Sequence, residues 1–154
     1  MDKISLQRIE KLHPKLREEV KQIVENLAKR KVKIRITQSF RTAKEQADLY
    51  AQGRTKPGKI VTNAKPGHSF HEYGLSLDFC LLHEDGSISY SLIEDLDKDN
   101  KADWLEVVEE FKKYGWESGM DWKFSDSPHL QKVFGQSIEK LLITKKDNEG
   151  YPII

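Results

Sequence analysis

Apolar residues recur at three- and four-residue steps from the start of the chain: Leu6, Ile9, Leu12, Leu16, Val20, Ile23, Val24 and Leu27. That spacing lays one apolar stripe along a helix over residues 5–30. Pro14 lacks the amide hydrogen that a helix interior needs, so the first turn can separate there as a short piece. The period then changes. Val32, Ile34 and Ile36 alternate with Lys33 and Arg35, which predicts a strand with one buried face within residues 32–40. Thr42, followed three residues on by Glu45, opens a helix over 42–52 that Gly53 stops. Pro57, Gly58, Pro66 and Gly67 make residues 54–70 a long loop, and such loops in compact domains are often functional. The apolar run 75–82 reads as a central strand, followed by a hairpin turn at 83–87 and a continuation over 88–93. Residues 102–114 return to the helical period, with Trp104, Val107, Val108 and Phe111 inward, until Gly115. A last short strand falls at 129–134. No repeat or linker divides the chain, so residues 1–154 are expected to form a single domain. This order of helices and hairpin strands predicts an α+β fold rather than a doubly wound sheet.

Charge and composition narrow the choices. Lys and Arg total 26 against 25 Asp and Glu, a net charge of +1, which argues against a nucleic-acid partner. Lys29, Arg30, Lys31, Lys33 and Arg35 cluster, but they read as a solvated helix end and strand edge. No run approaches the ~18 apolar residues of a membrane span, and no apolar core follows a basic start at the N-terminus, so neither membrane insertion nor a signal peptide is expected. The lone cysteine, Cys80, sits in an apolar run and can form neither an intrachain disulfide nor a Cys-based zinc site. Asp95, Asp97 and Asp99, with Glu106, match positions 1, 3, 5 and 12 of a calcium loop. Position 6 is Asn100 instead of Gly and no flanking helix pair is evident, so the segment reads first as a solvated acidic loop.

The chemistry concentrates in two stretches. One runs from Gly67 to Asp78, the other is Asp126-Ser127-Pro128-His129. Imidazole nitrogens and a carboxylate oxygen are good zinc ligands, and a catalytic zinc keeps three protein ligands and one open position. His71 and Asp78 are too far apart for one helical turn but suit a loop that turns at Gly74 and re-enters as a strand. His129 would complete the set from a distant segment. Asp126, three residues before His129, is placed to carry the proton that metal-assisted amide hydrolysis needs. Arg41 is the candidate to stabilise the oxyanion or to pair with a substrate carboxylate. His68 is expected near the site without being a ligand, and Ser69 either bonds substrate or shapes the turn. His13 and His83 read as structural or exposed, Trp116 and Trp122 as core or cleft wall.

The pattern of Ser69, His71, Gly74 and Asp78, followed by Asp126 and His129, resembles the zinc peptidases that include D-Ala-D-Ala carboxypeptidases, D-Ala-D-Ala dipeptidases and phage L-alanyl-D-glutamate endopeptidases. Arg41 matches that family's arginine after the first strand, and the segment 39–69 is most similar to the endolysin-like branch. The resemblance covers roughly residues 30–135. It implies a small antiparallel sheet flanked by helices, of the Hedgehog/D-Ala-D-Ala peptidase kind, with metal motifs within 67–130 and residues 136–154 as a C-terminal extension that either adds a helix to the core or forms a docking tail. It also implies a zinc endopeptidase that cuts the L-Ala-D-Glu bond of peptidoglycan stem peptides, a monomer made in a host cytoplasm that reaches the wall on release. The alternatives are a D,D-carboxypeptidase or D-Ala-D-Ala dipeptidase, and a zinc-binding module that recognises wall peptides without cutting them.

Overall fold

The computed structural model describes residues 1–154. The long amphipathic segment forms two helices, α1 (Lys3–Ile9) and α2 (Pro14–Lys29). Pro14 occupies the first turn of α2, where its missing donor costs nothing. His13 caps that turn, its Nδ1 accepting from the Lys15 amide at 3.2 Å. The apolar stripe crosses the break unbroken: Ile9, Leu12, Leu16, Val20, Ile23 and Leu27 are all fully buried.

Strand β1 (Ile34–Gln38), helix α3 (Ala43–Ala51) and strand β2 (Ser76–Leu82) follow in the predicted places. Thr42 and Glu45 form a reciprocal cap on α3. β3 is only Ile88–Ser89, shorter than expected, because the Ser89 and Ser91 hydroxyls accept amides of residues 91, 93 and 94 and curl the chain away. Helix α4 (Asp103–Lys113) is followed by β4 (Glu117–Ser118), a two-residue polar strand too short to show alternation. β5 (His129–Gln131) and α5 (Ile138–Ile143) complete the order. The sheet is antiparallel, ordered β1-β2-β5-β4, with β3 paired to β2.

β2 lies at the centre of this sheet and divides the molecule. Alternation places Leu77, Phe79 and Leu81 on one face, all buried, with the Phe79 ring 4.3 Å from that of Trp104 on α4. Asp78 faces the other way, so the sheet carries helices on one side and a cleft on the other. The β1–β2 ladder is irregular between Ile36 and Gln38, beside Asp78, and this bulge redirects the chain toward Ser39 and Arg41.

The C-terminal extension packs onto the body. Leu141 and Tyr151 are buried, the Tyr151 hydroxyl donates to the Lys11 carbonyl at 2.7 Å, and His13 Nε2–H donates to the Pro152 carbonyl at 2.8 Å. Of the two possibilities for this segment, the structure takes the one in which it joins the core. Three of the clustered basic residues are ion-paired, Arg30 with Glu110, Lys33 with Glu84 and Arg35 with Asp2. No helix is long and apolar enough to cross a membrane.

Candidate metal centre

His71 stands on a single 3₁₀ turn, Phe70–Tyr73. Ser69 caps it: its Oγ accepts the His71 amide at 3.3 Å, while the Glu72 carboxylate reaches back to the amides of Gly67 at 2.7 Å and Ser69 at 3.0 Å. Gly74 ends the turn at φ 69°, and a Cβ there would lie 2.6 Å from the His13 amide nitrogen. The chain re-enters as β2, which presents Asp78. Across the β2–β5 ladder, Asp78 is the direct partner of His129.

Two imidazoles and a carboxylate therefore meet. Asp78 Oδ1 lies 3.5 Å from His71 Nε2 and 3.4 Å from His129 Nδ1, and the rings stand perpendicular with centroids 5.2 Å apart. Each ring spends its other nitrogen elsewhere. His71 Nδ1–H donates to the Ser39 carbonyl at 2.8 Å, and His129 Nε2–H donates to Gln131 Oε1 at 2.8 Å. The inward nitrogens are thus free to present lone pairs toward a carboxylate oxygen that is buried and has no hydrogen-bond partner. Three converging acceptors need a cation between them. Two nitrogens and one oxygen, each oriented from behind, suit a zinc-like divalent ion with an open position.

Without an ion, the three groups would share a proton in its place. Burial alone would raise the Asp78 pKa, but the facing His129 and His71 prevail and hold it far below the usual carboxylate range. Burial disfavours charge on His129, yet Asp78 and Gln131 outweigh it and raise that pKa. Asp126 borders the same cleft, of about 570 Å³, where desolvation and then the charge of Asp78 raise its pKa. The Asp126 amide donates to the Gly119 carbonyl at 2.8 Å, and the His129 amide donates to the Asp126 carbonyl at 3.1 Å, so one loop fixes Asp126 and His129 together. Residues 9–130, which contain all four of these side chains, match the family described as VanY, D-alanyl-D-alanine carboxypeptidase.

The chain belongs to the VanY family.

A relative in Bacillus subtilis (strain 168), the peptidoglycan L-alanyl-D-glutamate endopeptidase CwlK, is 46% identical over 123 residues, 79% of this chain and 74% of CwlK. Two solved structures share the fold. The L-Ala D-Glu endopeptidase ChiX of Serratia marcescens has a TM-score of 0.56 at 21% identity, covering 87% of this chain and 90% of its own. The L,D-carboxypeptidase DacB of Streptococcus pneumoniae has a TM-score of 0.53 at 19% identity, covering 93% and 80%.

Around this VanY-family centre the remaining predicted residues take distinct places. Arg41 borders the cleft; its Nη1 donates to Gln46 Oε1 at 2.8 Å, and its amide donates to the His71 carbonyl at 3.0 Å. Ser69 lines the cleft as well, with its hydroxyl engaged in capping His71. His68 is on the cleft wall and outside the ligand group. His13 is buried and structural, and His83 pairs with Glu94 on the far hairpin. Trp116 is core, while Trp122 packs its ring 5.0 Å from His129 as a cleft wall.

Sequence reasoning missed the groups behind the two histidines. Gln131 accepts from His129 and passes its own Nε2–H to Glu117 at 2.8 Å. Its position two residues after His129 on a strand was the available signal, since such residues share a face. Ser39 acts through its main-chain carbonyl, for which no side-chain pattern exists.

Proposed function

We propose that this protein is a zinc-dependent endopeptidase that hydrolyses the L-Ala-D-Glu bond of peptidoglycan stem peptides. The observation that carries the reading is the convergence of His71 Nε2, His129 Nδ1 and the partnerless Asp78 Oδ1, with Asp126 on the same cleft. His71, Asp78 and His129 would hold the ion. When bound, zinc supplies a Lewis acid that lowers the pKa of a water toward ~7 and polarises a carbonyl. The raised pKa of Asp126 suits a carboxylate that first takes a proton and then delivers it to the departing amino group of D-Glu. The Arg41 guanidinium keeps donors beyond its bond to Gln46, and these can meet the developing oxyanion or a carboxylate of the stem peptide. Ser69 holds His71 in place and borders the substrate's path. The likeness to CwlK favours the endopeptidase over a carboxypeptidase reaction on the same scaffold.

Digestion of purified peptidoglycan followed by analysis of the new termini tests this. New amino-terminal D-Glu is expected; released D-Ala would instead assign the D,D-carboxypeptidase reaction. Stripping the metal with a chelator should abolish turnover and zinc should restore it. Turnover that survives a strong chelator would exclude the metal mechanism, and stoichiometric zinc without any cleavage would leave a binding module.

A further inference from the structure

We propose that the loop from Asp95 to Glu106 is a second metal site, separate from the His71–Asp78–His129 centre, and that it is built for calcium. Two buried carboxylates carry the proposal. Asp103 is 3% exposed and Glu106 is 5% exposed, and Asp103 Oδ1 and Glu106 Oε2 are shielded from solvent with no hydrogen-bond partner; Asp97 Oδ1 is in the same condition. Ligand oxygens of Asp97, Asp103 and Glu106 lie within 4.8 Å of one another, and so do those of Asp95, Asp97 and Asp99. The two groups share Asp97, so five carboxylates close around one region. None of the five has a lysine, arginine or histidine nitrogen within 4.0 Å. Of the basic residues that border the same cavity, Lys101 pairs with Glu109 at 2.6 Å and Arg30 with Glu110 at 3.2 Å, while Lys29 and Lys31 form no ion pair with any of the five. Buried, partnerless carboxylate oxygens of one sign are costly unless a cation joins them.

The spacing selects the ion. Asp95, Asp97, Asp99, Lys101, Asp103 and Glu106 fall at positions 1, 3, 5, 7, 9 and 12 of a calcium loop, where position 7 contributes only its main-chain carbonyl. Position 6 normally needs Gly for a sharp turn. Asn100 supplies that turn at φ 68°, a left-handed conformation that Asn tolerates, so the missing Gly is no obstacle. The Asp95 carboxylate accepts the amides of Asp99 at 3.2 Å and Asn100 at 2.9 Å, which folds the loop back over itself. Up to five carboxylates and a carbonyl meet the six to eight oxygens that calcium takes, whereas magnesium keeps much of its water. The surroundings also press for a counter-charge: burial, then the neighbouring carboxylates, raise the pKa of both Glu106 and Asp97. The entering segment is irregular and only the exiting helix α4 is present, so the loop is half of the usual helix pair. Asp103 and Glu106 lie in the first turn of α4, which has no side-chain cap, and Trp104 between them packs on Phe79, the neighbour of Asp78. Calcium would therefore fasten the start of α4 to the strand that carries the first centre.

The test uses the full chain loaded with zinc, so that the first centre is filled, and freed of calcium. Calorimetric titration with calcium chloride should give one ion per chain. Thermal melting at a calcium concentration ~100 times the dissociation constant should rise by about 5–10 °C. Glu106→Gln and Asp97→Asn each keep the side chain's shape and add no charge, so both should fold, and both should weaken calcium binding at least ~tenfold. No heat and no melting shift up to about 10 mM calcium would overturn the proposal. So would an equal response to magnesium, or calcium affinity unchanged in both variants.

Discussion

Gln131→Leu separates a metal centre held from behind from one held by its ligands alone. In the folded protein Gln131 Oε1 takes the proton on His129 Nε2 at 2.8 Å, which leaves Nδ1 bare and aimed at Asp78. Leucine is close in volume but cannot accept. A donor on a ring that is only 8% exposed is then left unpaired, a loss of about 1–3 kcal/mol. Losing the outer partner of a metal-bound histidine weakens binding by about 10–100-fold, or about 1.4–2.8 kcal/mol. Trp122, 5.0 Å from the ring, still restrains it, which points to the lower half of that range. The assay is a zinc competition titration against a chromophoric chelator at pH 7, with Gln131→Glu as companion. Glutamate would accept from His129 more strongly, but Glu117 Oε1 lies 2.8 Å from the present Gln131 Nε2, so two carboxylates would face each other. One of them must then hold a proton, and zinc affinity in Gln131→Glu should acquire a further pH dependence beyond the one that the two histidine ligands already impose. Zinc affinity within ~twofold of wild type in Gln131→Leu would refute the view that this amide orients His129.

Asp126→Asn should retain zinc and lose about 10²–10⁴-fold in kcat, measured by release of new amino termini; near-normal kcat would remove Asp126 as the proton carrier. A Cβ at Gly119 would run into the Asp126 carbonyl oxygen and come within 3.2 Å of the Asp126 Cβ, so Gly119→Ala should displace the acid and lower kcat by about 10²-fold at unchanged zinc stoichiometry, and unaltered kcat would show that the loop tolerates the shift. The acidic loop has its own pH signature without calcium. Burial raises Glu106 from 4.5 to about 8, so across that interval the folded state holds a proton that the unfolded state releases, and stability must fall as pH rises. Melting temperatures from pH 6 to 8 should decline in calcium-free protein and decline less in Glu106→Gln; equal slopes would count against a raised Glu106.

The elements that the sequence announced are those whose signals are local. Thr42 and Glu45 cap α3 because the reciprocal bonds need only three residues of spacing. Leu77, Phe79 and Leu81 mark β2 because alternation survives wherever one face is buried. His71 and Asp78 could be paired because Gly74 is the one residue between them that turns the chain cheaply. What escaped depends on contacts made across distance. β4 is two polar residues that owe their strand geometry to β5. The extension is anchored by Tyr151 to Lys11 and by Pro152 to His13, partners more than a hundred residues away. The acidic loop shows the difference most clearly. From spacing alone it is a solvated turn lacking a required Gly, since exposure is the default for carboxylates. Packing of Trp104 against Phe79 draws Asp103 and Glu106 inward. The same carboxylates then become a charge problem that no lysine or arginine of the chain answers with an ion pair, Lys101 and Arg30 being turned to Glu109 and Glu110.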